Sequence, residues 1–203
     1  MSLVLVTPGA GPLMEAFLTS TAVVALAEIG DKTQLLAILL ATRLRKPWQI
    51  VLGILAATIA NHFLAALVGS RAAAFLDSPG FRYLIALSFI AMAAWTLIPD
   101  KLAEQGEERP ARSGAFVTTA IAFFLVEMGD KTQIATVALG ARFHDVVAVT
   151  AGTTLGMMIA NVPAVFLGNE LIRRVPLGLV RGIAAALFLV IGLWLLVQTA
   201  GWI

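Results

Sequence analysis

The sequence predicts an all-α integral membrane protein of six transmembrane helices, arranged as two inverted three-helix repeats. Three observations predict it. The chain has 203 residues, of which 60% are hydrophobic and only 13% charged, whereas a soluble domain carries about 25% charged residues. Its mean hydropathy is +0.93, and its apolar runs reach the roughly 20 residues that a spanning helix needs. The two halves also repeat each other at an offset of 99 positions.

Apolar runs read between charges and turn residues give the spans in order. The first covers 13–42 and stops at Arg43, Arg45 and Lys46. The second covers 48–70 and ends before Arg71, and the third covers 81–99. After the polar segment 100–113 (DKLAEQGEERPARS) the fourth covers 114–141, the fifth 146–168 and the sixth 177–197. The chain thus divides into a first repeat, 1–99, a solvated linker without chemistry, 100–113, and a second repeat, 114–203. The opening run MSLVLVTPGAGP lacks a basic start and a long enough apolar core for a signal peptide, so the first segment is expected to be retained, with no extra leader helix.

The repeat is dense where it matters. The offset carries Glu28, Gly30, Asp31, Lys32, Thr33 and Gln34 onto Glu127, Gly129, Asp130, Lys131, Thr132 and Gln133. It also pairs Arg43 with Arg142, Gly53 with Gly152, Gly69 with Gly168, Arg82 with Arg181, Phe89 with Phe188 and Trp95 with Trp194. Asn61 and Asn161 miss the register by one. Three spans per half is an odd number, so the second half enters the membrane upside down, as in secondary transporters whose site lies at the repeat interface. Loops after spans one, three and five carry Arg43, Arg45, Lys46, Lys101, Arg109, Arg112, Arg173, Arg174 and Arg181; the other side carries Arg71, Arg82 and Arg142. The positive-inside rule then puts both termini outside and the linker in the cytoplasm. Arg82 and Arg181 lie near span ends, and the asymmetry survives without them.

Composition excludes several classes. There is no cysteine, so disulfides, thiolate metal sites and catalytic thiols are out. A net charge of +2 with the basic residues in short inter-span clusters reads as topology, not as nucleic-acid binding. No nucleotide-binding loop is present, so ATP does not drive this chain by itself.

The chemistry lies in EIGDKTQ (28–34) and EMGDKTQ (127–133). With spans one and four as helices, each acid lies on the order of 15 Å from either face at about 1.5 Å per residue. A charge there costs at least about 2.5–3.5 kcal/mol, so Glu28, Asp31, Glu127 and Asp130 must face an interior, pair, or hold an ion. Glu28, Asp31 and Lys32 fall on one face of such a helix. Gly30 and Gly129 permit either local unwinding or close helix contact. Four carboxylates and two ammonium groups (Lys32, Lys131) sum to −2, which one divalent cation neutralises; protons on the acids restore the same balance. Oxygen donors without Cys or motif His favour hard cations such as calcium or manganese over zinc or copper. Gln34, Gln133, Asn61 and Asn161 offer further carbonyl oxygens.

Two intact copies of Glu-x-Gly-Asp-Lys-Thr resemble the signature of the GDT family, membrane cation/proton exchangers that include Golgi manganese/calcium transporters and bacterial manganese exporters. The resemblance covers nearly the whole chain, with no departure in either motif. It implies export of manganese, and of calcium as a second cargo, against inward proton flow, in a compact bacterial member of the inner (cell) membrane. It carries the metal-binding role to Glu28, Asp31, Glu127 and Asp130, with Thr33, Gln34, Thr132 and Gln133 as contributors. No resident cofactor and no enzyme activity are expected; divalent metal ions, protons and the bilayer are the partners, and oligomeric state is open.

Plainer roles stand beside these. The acids and lysines also fit a structural salt-bridge cluster, and the lysines either balance charge or gate exchange. Thr33 and Thr132 suit a bond to their own helix backbone as well as a metal. Asn61 and Asn161 suit interhelical hydrogen bonds. His62 fits a packed polar side chain better than a pH sensor, and His144 a solvated loop. Trp48, Trp194 and Trp202 read as interfacial anchors, Pro163 as a kink in span five, and Gly53, Gly69, Gly152 and Gly168 as close-packing positions. The competing functions are an intramembrane aspartyl protease, a passive cation channel, and an exporter of another small solute. The protease fits poorly because the two Gly-Asp copies are alike and each adds Glu and Lys.

Overall fold

A computed structural model describes residues 10–75, 78–98, 114–168 and 176–201. Among them the chain is all-helical, with eight α-helices and no strand: α1 (Ala10–Glu28), α2 (Lys32–Leu44), α3 (Pro47–Phe75), α4 (Pro79–Thr96), α5 (Ala115–Glu127), α6 (Lys131–Phe143), α7 (Val146–Leu167) and α8 (Leu177–Thr199). The linker 100–113, Trp202, Arg173 and Arg174 lie outside the described residues.

Three helices are each long and apolar enough to cross a bilayer: α3 over Pro47–Ala73, α7 and α8, with mean hydropathies of 2.0, 1.5 and 2.4. A fourth candidate is the pair α1 and α2, which passes only when both are taken together and is bent by 69°. The expectation of continuous helices over 13–42 and 114–141 is therefore corrected. Both break at the acidic motif, leaving half-helices, and the 13-residue α5 is too short to cross alone. The break also overturns the placement of Glu28, Asp31 and Lys32 on one helical face: Glu28 closes α1, while Asp31 caps and Lys32 opens α2.

Apolar side chains turned outward match a lipid-facing surface, among them Leu52 and Val68 on α3, Val147 on α7, and Leu179 and Val190 on α8. Trp48 and Trp194 are exposed as well. Pro163 sits inside α7, and the helix continues through it.

The most extensive helix contacts join the first four helices to the last four, so the halves interlock rather than standing side by side. α1 lies on α7 as α3 lies on α5; α2 touches α7 as α3 touches α6; α4 pairs with α8 and α3 with α7. Glycines make the crossings close, since helix backbones approach best where no side chain intervenes. A Cβ at Gly53 would strike Phe116 O and Thr119; at Gly152 it would strike Phe17 O and Ser20. Phe17 and Ser20 stand 99 positions before Phe116 and Thr119. The same crossing is thus built twice. Gly69 is likewise jammed against Val137 of α6. Gly168 departs from the expectation: with φ +60° it caps the end of α7, and no described residue packs against it. Phe89 and Phe188, also 99 apart, meet each other with ring centroids 6.1 Å apart in one apolar cluster.

Candidate metal-binding site

Each motif folds as a helix end, a turn and a helix start. α1 ends at Glu28, and Asp31 N–H donates back to Glu28 O at 3.0 Å; in the second copy Asp130 N–H donates to Glu127 O at 3.1 Å. Gly30 and Gly129 make the turn, with φ of +81° and +76°. That is the left-handed region, which costs an L-residue about 1–2 kcal/mol. Of the two alternatives left open by the sequence, unwinding is the one realised. The glutamines stitch the break: Gly30 N–H donates to Gln34 Oε1 at 2.9 Å, and Gly129 N–H to Gln133 Oε1 at 2.7 Å. Gln34 also donates to Ala160 O at 3.0 Å, fastening α2 to α7.

Asp31 and Asp130 occupy the N-cap positions of α2 and α6, yet neither carboxylate caps a backbone N–H of the helix start. An N-cap aspartate ordinarily accepts from the first turn. Here each reaches instead for a lysine of the other half. Lys32 Nζ lies 2.8 Å from Asp130 Oδ1, and Lys131 Nζ pairs with Asp31 Oδ1. The pairs are crossed, and one maps onto the other at the repeat offset.

The glutamates are held differently. Thr33 donates its hydroxyl to Glu28 Oε2, and Thr132 donates to Glu127 Oε2 at 3.0 Å and to Asp130 Oδ2 at 3.3 Å. The threonines therefore bond the acids across the break and do not turn back to their own helix. The other oxygen, Oε1, of both Glu28 and Glu127 is buried with no hydrogen-bond partner among the described residues. All four acids are buried, as is Lys131.

Carboxylate oxygens of Glu28, Asp31 and Asp130 lie within 4.8 Å of one another, close enough to hold a metal ion together. Glu127 stands beside this trio rather than in it. It interacts electrostatically with Glu28, Asp31 and Asp130, and its Oε2 lies 4.0 Å from Nε2 of His62. His62 is wholly buried, and packing at the motif is a role that sequence pattern does not signal. Asn61 donates to Phe124 O at 3.0 Å, a bond from α3 to α5. Asn161 donates to Met157 O at 3.1 Å within α7, and its Oδ1 is buried without a partner among the described residues.

Comparison with known proteins identifies the family. The family described as Divalent cation/proton antiporter GDT1 matches residues 16–104 and 115–202, nearly all of both repeats. The chain belongs to the GDT1 family. A Vibrio cholerae protein named "Putative manganese exporter" is 50% identical over 182 residues, 89% of this chain and 90% of that protein. A GDT1-like protein of Synechocystis is 28% identical over 90% of this chain and 98% of its own length. GDT1-like protein 4 of Oryza sativa subsp. japonica is 30% identical over 87% of this chain and 71% of its own. No solved structure matches the chain. The GDT1 assignment makes the chain a membrane transporter, and its buried carboxylate cluster fits metal binding.

Proposed function

We propose that this GDT1 member exports divalent cations, manganese first and calcium second, from the cytoplasm in exchange for protons. In this reading it works by alternating access around the carboxylate site, with six spans as two inverted repeats, in the inner membrane of a bacterium. Both termini lie outside and the linker is cytoplasmic. The metal ligands are Glu28, Asp31, Asp130 and Glu127, supported by Thr33, Thr132, Gln34, Gln133, Asn61 and Asn161, with Lys32 and Lys131 compensating charge.

One observation carries the reading. Each aspartate has a lysine, so the net −2 of the site rests on Glu28 and Glu127, whose outer oxygens have no partner. One divalent cation or two protons brings that total to zero, and either makes the burial tolerable. The exchange of helix pairings between halves supports the inverted repeat, and broken helices at the site suit a secondary transporter. A lysine on each aspartate also removes the shared-proton dyad that an aspartyl protease needs.

The test is reconstitution into liposomes. Manganese and calcium flux should follow an imposed pH gradient, and Glu28→Gln or Asp130→Asn should abolish it while the protein stays folded. Wild-type flux in either variant, or metal flux indifferent to the pH gradient, would refute the exchange.

A further inference from the structure

Glu127 has a neighbour that neither motif contains. His62, in the middle of α3, has no exposed surface, and neither ring nitrogen has a hydrogen-bond partner among the described residues. Buried polar atoms of this kind are nearly always satisfied. The 4.0 Å from its Nε2 to Glu127 Oε2 is too long for a hydrogen bond. It matches two donors on opposite sides of a shared ion, about 4.0–4.6 Å apart when each sits about 2.0–2.3 Å from the metal. Oε1 of the same glutamate is also unpartnered. A donor nitrogen and two carboxylate oxygens thus lie buried together beside the acid trio.

We infer that His62 is a nitrogen ligand to the transported cation, acting with Glu127 and biasing the site toward transition-metal ions over calcium. This rests on the cation-exchange reading above. Calcium takes oxygen donors almost exclusively, whereas nitrogen donors bind first-row metals with affinity rising from manganese to cobalt and beyond. The repeat makes the point sharper. The position 99 residues after His62 is Asn161, whose buried Oδ1 is also without a partner. At equivalent positions, then, one half has a ring nitrogen and the other an amide oxygen, so the two repeats are chemically unlike at this point.

The experiment uses the full chain in detergent, without a polyhistidine tag, and measures Co2+, Mn2+ and Ca2+ binding in wild type, His62→Gln and His62→Asn. The loss of affinity should rank Co2+ above Mn2+, reaching at least about 10-fold for Mn2+, the lower end of what losing even an outer-sphere partner costs. Ca2+ affinity should stay within about twofold, since oxygen donors supply its site. Pulsed EPR of bound Mn2+ gives a readout that holds even if a variant misfolds: imidazole nitrogen should couple to the metal in wild type and in His144→Gln. The chain has only these two histidines, so the coupling should vanish in His62→Gln. Equal losses for all three metals, unchanged selectivity, or wild-type Mn2+ without nitrogen coupling would overturn the assignment alone. A wild type that binds none of the metals would overturn the exchange reading and this inference together.

Discussion

Removing Lys131 should destabilise the protein more than removing Lys32, although the two occupy equivalent places in the repeat. The Lys131 side chain is 3% exposed beside a fully buried Asp31 side chain, whereas Lys32 is 26% exposed beside Asp130 at 3%. Breaking a buried pair from one side costs about 3–5 kcal/mol, because the remaining charge loses its partner without regaining water. A solvent-exposed pair is worth about 0–1 kcal/mol, and Lys32 falls between the two. Lys131→Met should therefore cost at least about 3 kcal/mol in equilibrium unfolding from detergent micelles. Adding Asp31→Asn should return most of that loss, since neither charge then remains. Manganese at about 100 times its dissociation constant should restore about 2.7 kcal/mol to any variant that still binds it. A Lys131→Met variant no worse than Lys32→Met would refute the argument. So would a double variant whose loss is the sum of the singles.

Further outcomes follow from the same geometry. Gly129→Ala has open space for its methyl group, so its cost should be the backbone term alone, about 1–2 kcal/mol by thermal unfolding. Gly30→Ala should cost more, because its Cβ would also sit 2.8 Å from Leu177 Cδ2. Gly53→Ala and Gly152→Ala should each cost about 1–3 kcal/mol by forcing backbones apart, and by similar amounts, since the crossing is repeated. A large difference in their melting temperatures would deny that equivalence. Thr132→Val leaves the shape intact but strips Glu127 of its hydroxyl donor, and should cost about 1–3 kcal/mol of stability, measured by the same unfolding.

Much of this was legible in the sequence because buried charge is so costly that residue types alone reveal it. The acids, the lysines and the repeat offset point to residues that the fold brings together. What the sequence could not give was backbone geometry. A 3.6-residue period assumes an unbroken helix, and on that assumption Glu28, Asp31 and Lys32 share a face. The left-handed turns at Gly30 and Gly129 cancel the assumption, and the aspartates swing toward the opposite half. Gly168 misled for a related reason: its pairing with Gly69 is real in sequence, but one glycine meets a helix and the other ends one. In sequence His62 reads as a packed side chain, because no spacing rule links α3 to the end of α5. Only tertiary contact brings it to Glu127.

The crossing of the ion pairs bears on how such a site works. Had Lys32 neutralised Asp31 and Lys131 neutralised Asp130, each half would carry its own balanced charge, indifferent to where the other half stood. Instead, Asp31 depends on Lys131 and Asp130 on Lys32, so sliding the halves apart would expose two unpaired buried charges on each side. Under the exchange reading, that energetic link makes motion of the halves and the charge state of the site one variable. A cation or protons arriving at Glu28 and Glu127 change the balance that the crossed lysines maintain, and the lowest-energy way to answer is to move the halves. Lys32→Met removes one crossed pair while leaving every carboxylate in place, and should therefore loosen the coupling of metal flux to the pH gradient. Tightly coupled exchange in that variant would separate the ion pairs from the transport cycle.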